Sequence, residues 1–250
     1  MQKILNFVLG ILLLAGSPPL HAEEFIRPTP LALVQTMFRF GALDINNDVV
    51  IDDYAKIAEC DLYATFRADD FRWQKIRAGL RSKIRDEVVT YPTNYFIIGK
   101  AFLDPYDFKN KTFKLSTEHE YTDMFNSFVL EGNLDSACDT SMKMLPLAYY
   151  AVLETQIRLP GFVMDETDAG ALLMRMQAVG NTKRKVEARF NLSVLYIDKV
   201  PINYGLIQHW YKGFHWVGKI RELRMYSRLE SIEFFEDKEM TKRIYVYNPN

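Results

Sequence analysis

Residues 41–55 read GALDINNDVVIDDYA and place oxygen-bearing side chains at every second position from Asp44 to Asp48. If Asp44 is the first ligand of a calcium loop, then Asn46, Asp48 and Asp52 occupy its third, fifth and ninth positions. Proteins bind Ca²⁺ through such carboxylate and amide oxygens. The spacing is compatible with a weak calcium site, which is the only cofactor that the sequence suggests, although the expectation is that the protein has no cofactor.

Over residues 44–55 the segment resembles a degenerate calcium loop of the EF-hand or dockerin type. Val49 stands where such loops have Gly at a sharp turn, and a β-branched residue is strained at positive φ. Ala55 stands where the bidentate acid belongs and offers no oxygen. These two residues favour the other interpretation, a metal-free turn between two helices in which Asp52 or Asp53 caps the helix that follows.

A second candidate site is HWYKGFHW, residues 209–216, which is unusually dense in aromatic side chains. His209 and His215 are an even number of positions apart, so a straight strand would place both on one face. The stretch could stack against a sugar ring or another ligand, or it could pack as a hairpin around Gly213. Zinc is not expected, since few other histidines are present. The predicted ligand surface consists of His209, Trp210, Tyr211, Phe214, His215 and Trp216.

Carboxylates are the remaining candidates for catalysis. Asp165, Glu166 and Asp168 lie at the start of a predicted helix, where a pair could act as acid and base near the aromatic stretch. Acidic residues also favour the first turn of a helix because of its dipole. The sequence has no G-x-S-x-G, H-E-x-x-H, P-loop or dinucleotide-binding motif. A secreted carboxylate-dependent hydrolase is therefore the enzyme alternative, and a non-catalytic function is expected.

Three arginines, Arg77, Arg81 and Arg85, follow one another at helical spacing. Such a row is usually the solvated border of an apolar helix face. Less often it binds an anionic ligand. The sequence leaves both interpretations open.

The chain has two cysteines, Cys60 and Cys138. In an oxidising compartment such a pair favours a disulfide, which would stabilise the fold by about 4 kcal/mol in the chain-entropy model. The alternative is two buried thiols. In a helix over residues 52–66, Cys60 points away from the apolar face, which favours the bridge; that face is lined by Ile51, Tyr54, Ala58 and Leu62.

The first 22 residues have the layout of a secretory signal peptide. Lys3 precedes the apolar run of residues 4–16, and Ala22 provides a cleavage point before two glutamates. The run is shorter than the roughly 20 residues that a transmembrane helix needs. We therefore expect export across the inner membrane to the periplasm or the cell exterior.

The composition after residue 22 is that of a folded protein. Over the full 250-residue chain the aromatic content is 14% and the apolar content 48%, which leaves ample material for a core once the signal peptide is removed. The formal net charge is −1, and loss of Lys3 makes it −2, so nucleic acid is not an expected partner. No second apolar run is long enough to span a membrane. A ligand or protein partner of unknown identity is expected.

Periodicity divides the remaining chain into a helical region, residues 23–92, and a β-rich region, residues 93–250. In the first region, helices are predicted from Pro30, after the acidic turn, and over residues 69–89. The second region contains strand patterns with short connections, which predict a mainly antiparallel sheet with one inserted helix at 164–179. The predicted fold class is α+β, packed as one globular unit.

Several short motifs resemble those of a group of uncharacterised exported bacterial proteins. They are D-x-Y-A-x-I…C-D-L-Y from Asp52 to Tyr63, W-x-K-I-R from Trp73 to Arg77, and P-Y-D-F…F-K-L from Pro105 to Leu115. The resemblance covers most of the chain after the signal peptide. It implies export and no particular activity. The sequence as a whole predicts an exported, non-catalytic binding or envelope-associated module.

Overall fold

A computed structural model describes residues 24–117, 124–130, 138, 142–146, 148–158, 161–197, 203–211 and 214–249. The predicted signal peptide lies outside the described residues. The helical part consists of α1 (Pro30–Arg39), α2 (Asp48–Ala58), α3 (Cys60–Phe66) and α4 (Asp70–Glu87), followed by a 3₁₀ turn at Val88–Thr90. The prediction of a helical N-terminal third is confirmed. No described helix is long and apolar enough to cross a membrane.

Local capping signals explain where α1 and α4 begin. The Thr29 side chain accepts a hydrogen bond from the backbone N–H of Ala32, and Pro30 provides the first turn of α1. Asp69 accepts from the backbone N–H of Arg72 and caps α4 in the same way. Both starts agree with the sequence prediction.

The start of α2 differs from the prediction. Asn47, rather than Asp52 or Asp53, caps the helix by accepting a hydrogen bond from the N–H of Val49. The two aspartates therefore lie in the second turn, where both are buried. The predicted helix over residues 52–66 is also divided, because the backbone turns at Glu59 with φ −139° and ψ 55°.

The strands are β1 (Asn94–Leu103), β2 (Thr112–Phe113), β3 (Leu115–Thr117), β4 (Met124–Leu130), β5 (Ala148–Arg158), β6 (Phe162–Val163), β7 (Lys185–Ile197), β8 (Asn203–Tyr211), β9 (Phe214–Phe235) and β10 (Arg243–Tyr247). Helix α5 (Glu166–Ala178) is inserted between β6 and β7. The α+β fold class is confirmed.

The main sheet has the strand order β3-β1-β7-β9-β5-β4, and β8 and β10 also pair with β9. The described pairs are antiparallel except that β5 runs parallel to β9. The sheet is therefore mixed rather than wholly antiparallel. Short connections favour antiparallel neighbours, but β5 and β9 are separated by β6, α5, β7 and β8, so the short-connection rule does not apply to this pair.

Two groups of buried side chains form the core. One lies between the sheet and helices α1 and α5, and it includes Leu172, Phe190 and Phe234. The other lies among helices α1, α2 and α4, and it includes Tyr54 and Trp73. Helix α1 contributes to both groups, since Leu33 and Met37 face the sheet while Val34 and Phe38 face the helices. This shared helix joins the two regions.

Candidate functional site

The predicted calcium residues and the arginine row lie against each other. Arg77 donates from Nε to Asp52 Oδ1 at 2.7 Å and from Nη2 to Asp52 Oδ2 at 2.6 Å. Its Nη1 donates to Asp48 Oδ2 at 2.9 Å. The indole N–H of Trp73 donates to Asp52 Oδ1 at 2.8 Å. A bidentate arginine and an indole N–H therefore satisfy the buried Asp52 carboxylate.

The other two arginines of the row contact the same turn. Arg81 donates from Nε to the carbonyl of Ile45 at 3.0 Å and from Nη2 to the Asp48 carboxylate. Arg85 donates to Oδ1 of Asn46 at 3.3 Å. Neither interpretation of the arginine row made from the sequence, a solvated border or an anion site, predicted these contacts with the acidic turn. The signal lay in the matching spacing: carboxylates at Asp48 and Asp52 and guanidiniums at 77 and 81 are each one helical turn apart.

Within the ion-pair cluster, defined as Asp48, Asp52, Trp73, Arg77 and Arg81, hydrogen bonds and opposite charges outweigh burial and favour the ionised forms of Arg77 and Asp48. Hydrogen bonding to Asp52 raises the pKa of the Arg77 guanidinium above its ordinary value. A hydrogen bond from Arg81 is the largest influence on Asp48 and lowers the pKa of its carboxyl. The cluster therefore fastens α2 to α4 electrostatically.

The geometry bears directly on the predicted calcium ligands. Arginines hold the carboxylates of Asp48 and Asp52, while Oδ1 of Asp44 accepts the backbone N–H of Asn46 at 2.9 Å. Among the described residues no group of three or more His, Cys, Asp or Glu side chains is arranged to hold a metal ion. Calcium would have to displace guanidinium groups from three of its four predicted ligands, Asn46, Asp48 and Asp52, and calcium binding remains the alternative to a metal-free turn.

A neighbouring carboxylate, Asp53, anchors a distant part of the chain. Its Oδ2 accepts the backbone N–H groups of Lys143 at 2.8 Å, Met144 at 2.6 Å and Leu145 at 3.3 Å. Lys56 donates to the other oxygen at 3.3 Å. Three converging N–H groups are a typical anion-binding arrangement, and here the anion is a side chain of the same protein.

The sheet contains a groove because the partners of one β9 edge are interrupted. On that edge β5 pairs with β9 as far as Ser227, and β10 resumes the pairing at Ile232. Both strands are on the same edge, because β7 occupies the opposite one at Met225–Ser227, beside β5, and at Ile232–Phe235, beside β10. Between them, Arg228–Ser231 has no strand partner on this edge in the described pairing. This gap spans about 13 Å at the usual rise per residue.

Strand β5 widens the gap by bulging. Its register with β4 passes from Val152 opposite Ser127 to Ile157 opposite Phe125, so Glu154–Gln156 are left without described strand partners. The resulting β5–β9 groove has a volume of about 400 Å³. Its lining residues are Leu153 to Ile157, Ser227 to Leu229, Tyr247 and Pro249.

The lining combines an apolar floor with charged walls. Leu153, Ile157 and Leu229 are buried at the floor, and Glu154 is exposed on one wall. Arg228 on the other wall donates from Nε and Nη2 to Oε1 of Glu230 at 2.9 and 2.7 Å. An apolar floor with a few polar groups is the usual composition of a ligand site.

Comparison with known proteins gives one match. Residues 46–132 match the model of a family described as a domain of unknown function (DUF4852). The similarity covers about a third of the chain. It is consistent with the resemblance to an uncharacterised group and does not bear on export or on catalysis. No curated protein and no solved structure matches significantly.

The matched segment contains one of the two cysteines. Cys60 begins α3 and is half-buried, and Cys138 lies outside the segment and is exposed. The Cys138 backbone N–H donates to the Lys56 carbonyl at 3.2 Å, and its Sγ lies 3.5 Å from the Cys60 carbonyl oxygen. Both side chains are thiols in the structure, so the disulfide stays a prediction. The two backbones are nonetheless neighbours. The predicted apolar face was wrong at Leu62, which is exposed.

The predicted aromatic ligand surface falls on a hairpin. The backbones of β8 and β9 pair His209 with Trp216, Trp210 with His215 and Tyr211 with Phe214. The side chains of these six residues lie outside the described part of the protein. The choice between a ligand surface and a packed hairpin depends on those side chains, so the ligand surface stays a prediction.

The candidate catalytic carboxylates are exposed at the start of α5. Asp165 caps the helix by accepting the N–H of Asp168 at 3.0 Å, and this bond lowers the pKa of Asp165. The neighbouring Asp165 in turn raises the pKa of Asp168. Opposed shifts are a feature of acid–base pairs. The lining of the β5–β9 groove does not include these residues.

Proposed function

We propose that this protein is an exported, non-catalytic binding module of the bacterial envelope that takes its ligand in the β5–β9 groove. The groove itself carries the proposal, because a volume of about 400 Å³ with an apolar floor and charged walls suits a ligand of modest size. The ion-pair cluster and the Asp53 anchor have a structural role in this proposal, since internal partners satisfy their charges.

Export to the periplasm or the cell exterior is supported by the signal-peptide layout of residues 1–22. The test is N-terminal sequencing of protein purified from separated cell fractions. The expected result is a chain beginning at or near Glu23 in the periplasmic or extracellular fraction. An intact Met1 chain in the cytoplasm would refute export.

An oxidised Cys60–Cys138 bridge forms part of the same proposal. It is supported by the approach of the two backbones, and it would fasten the segment around residues 138–145 to α2 and α3. Two thiols give up two electrons and two protons to a disulfide oxidant, which is reduced to two thiols. Thiol titration of denatured exported protein is expected to find no free thiol. Two titratable thiols would exclude the bridge.

Binding is tested with a thermal-shift screen against sets of peptides, oligosaccharides and small metabolites. A ligand of the groove raises the midpoint of the wild type, since it binds only the folded form. It should not raise the midpoint of Thr155→Trp, which places an indole at the groove wall. Thr182→Trp, at an exposed turn after α5, is the matched control and should respond like the wild type. If no compound passes this comparison, the binding proposal fails.

The opposed pKa shifts of Asp165 and Asp168 favour one enzyme alternative, the carboxylate-dependent hydrolase. Its test is turnover of chromogenic esters and glycosides by the wild type and by Asp168→Asn. Activity that the substitution abolishes would favour the hydrolase over the binding module. Equal background rates in both proteins would leave capping as the role of these carboxylates.

A further inference from the structure

We infer that the β5–β9 groove binds an extended peptide in which an apolar side chain lies next to a lysine or arginine. The inference rests on the proposed binding function and specifies its ligand class. Three features of the groove support it: an unpaired stretch of strand edge, the excess of negative charge, and the length of the gap.

The unpaired edge favours a ligand with its own backbone. A strand edge without a partner presents N–H and C=O groups at regular spacing, and an added peptide strand is the ligand that matches all of them. At Arg228–Ser231 these groups lie between two strands that use the same edge, β5 on one side and β10 on the other. A short peptide strand would complete this row of hydrogen bonds.

The charges specify the side chains of that peptide. Glu154 lines the groove, Glu230 is the residue that follows its lining residue Leu229, and both carboxylates act on a single guanidinium, that of Arg228. Glu230 takes both hydrogen bonds from Arg228, which leaves Glu154 without a described ion pair of its own. One negative charge is therefore in excess, and a basic side chain complements it.

The floor and the ends of the gap set the length of the paired stretch. Leu153, Ile157 and Leu229 accept an apolar side chain at the floor. Tyr247 and Pro249 close the groove at the C-terminal end of β10, where Tyr247 pairs with Ile232. The paired stretch is therefore about four residues long, and the rest of the peptide must leave the plane of the sheet.

Amide hydrogen exchange of the purified protein, resolved by residue with NMR, tests the edge without any ligand. Alternate amides of a strand point to opposite sides, so one or two of the four amides of Arg228–Ser231 should face the groove. We expect these to exchange at least about 100-fold faster than the amides of Leu223 and Met225. Uniform protection through residues 223–235 would mean that the edge is occupied and would overturn the inference.

Panning a phage-displayed library of random heptapeptides on the purified protein tests the ligand class. We expect enrichment of sequences with an apolar residue beside lysine or arginine. A synthetic copy of an enriched peptide should bind Thr155→Trp and Gln156→Trp at least tenfold more weakly than wild type. Thr182→Trp should bind it normally. Glu154→Gln should weaken it about threefold or more, and N-methylation of alternate peptide amides should weaken it in one of the two registers only.

The outcomes separate this inference from the proposed function. If the thermal-shift screen yields groove ligands that are sugars or metabolites and panning yields none, the peptide class is wrong while the binding function stands. If enriched peptides bind Thr155→Trp and Gln156→Trp as well as wild type, the groove is not their site and the inference fails. If neither method yields a ligand, both proposals fail.

Discussion

The ion-pair cluster predicts a large and specific loss of stability when Arg77 is replaced by methionine. Methionine keeps most of the apolar stem and removes the guanidinium. The Asp52 carboxylate, whose side chain is 13% exposed, then keeps the Trp73 N–H and a distant guanidinium, Arg67 Nε at 3.6 Å. Removing one partner of a buried ion pair usually costs about 3–5 kcal/mol of stability. Because two donors and some access to water remain, we expect about 3 kcal/mol.

Urea unfolding followed by circular dichroism measures this loss. With a slope of roughly 2–3 kcal/mol per molar urea, the midpoint of Arg77→Met should fall by about 1–1.5 M. Arg72→Met is the matched control on the same helix, because Arg72 pairs with Asp69 at 3.3 Å on the exposed side of α4. Its expected cost is below about 0.5 kcal/mol.

The double variant Asp52→Leu/Arg77→Met isolates the electrostatic part of this loss of stability. Replacing both members of a buried pair by apolar residues is often nearly neutral, so we expect stability within about 1 kcal/mol of the wild type. The reasoning is refuted if Arg77→Met costs no more than the Arg72 control. It is also refuted if the double variant is as unstable as the single one, because the loss would then come from packing.

Three further predictions follow from the same region. The pKa of the Asp48 carboxyl is lowered in the folded protein, so ionised Asp48 stabilises the fold above its ordinary pKa near 3.8, and this stabilisation is lost as pH falls through the folded pKa. The urea midpoint of Asp48→Asn should therefore change less between pH 6 and pH 3 than that of the wild type. Calcium at millimolar concentration should not shift the melting midpoint relative to chelator, because Arg77 and Arg81 hold the carboxylates; an upward shift would establish the calcium site. Asp53→Ala should cost about 2 kcal/mol and speed exchange of the Met144 amide, and unchanged exchange would contradict the anchoring role.

The sequence predicted those features of the fold that depend on short-range signals. The starts of α1 and α4 were predicted from Pro30 and from the periodic stretch at 69–89, and the structure shows that Thr29 and Asp69 cap these helices because their side chains reach N–H groups three residues on. At the acidic turn several cap candidates compete, and Asn47 was missed because four aspartates nearby offered the same chemistry. The strands were predicted from alternation, which does not specify a partner, so the parallel pairing of β5 with β9 was not foreseen.

The candidate sites were harder to predict because each is made by residues distant in sequence. Asp52 and Arg77 are 25 positions apart, and the Asp53 anchor reaches Leu145 across 92. The acidic turn and the arginine row each carried a recognisable pattern, but only the packing of α2 on α4 shows that each is the partner of the other. The groove carried no sequence pattern, since it arises from the register of β5 and from the place where β10 ends.

The boundaries of the family match separate the two sites. Residues 46–132 contain every member of the ion-pair cluster, whereas the lining of the β5–β9 groove begins at Leu153. The matched segment is not an independent folding unit, because β1 pairs with β7 and β4 pairs with β5, both beyond residue 132. A protein that shares only the matched segment must therefore supply its own sheet partners, and it need not share the groove. The function of such a relative could therefore inform the role of the ion-pair cluster between α2 and α4. The ligand of the groove has to be identified by experiments on this chain itself.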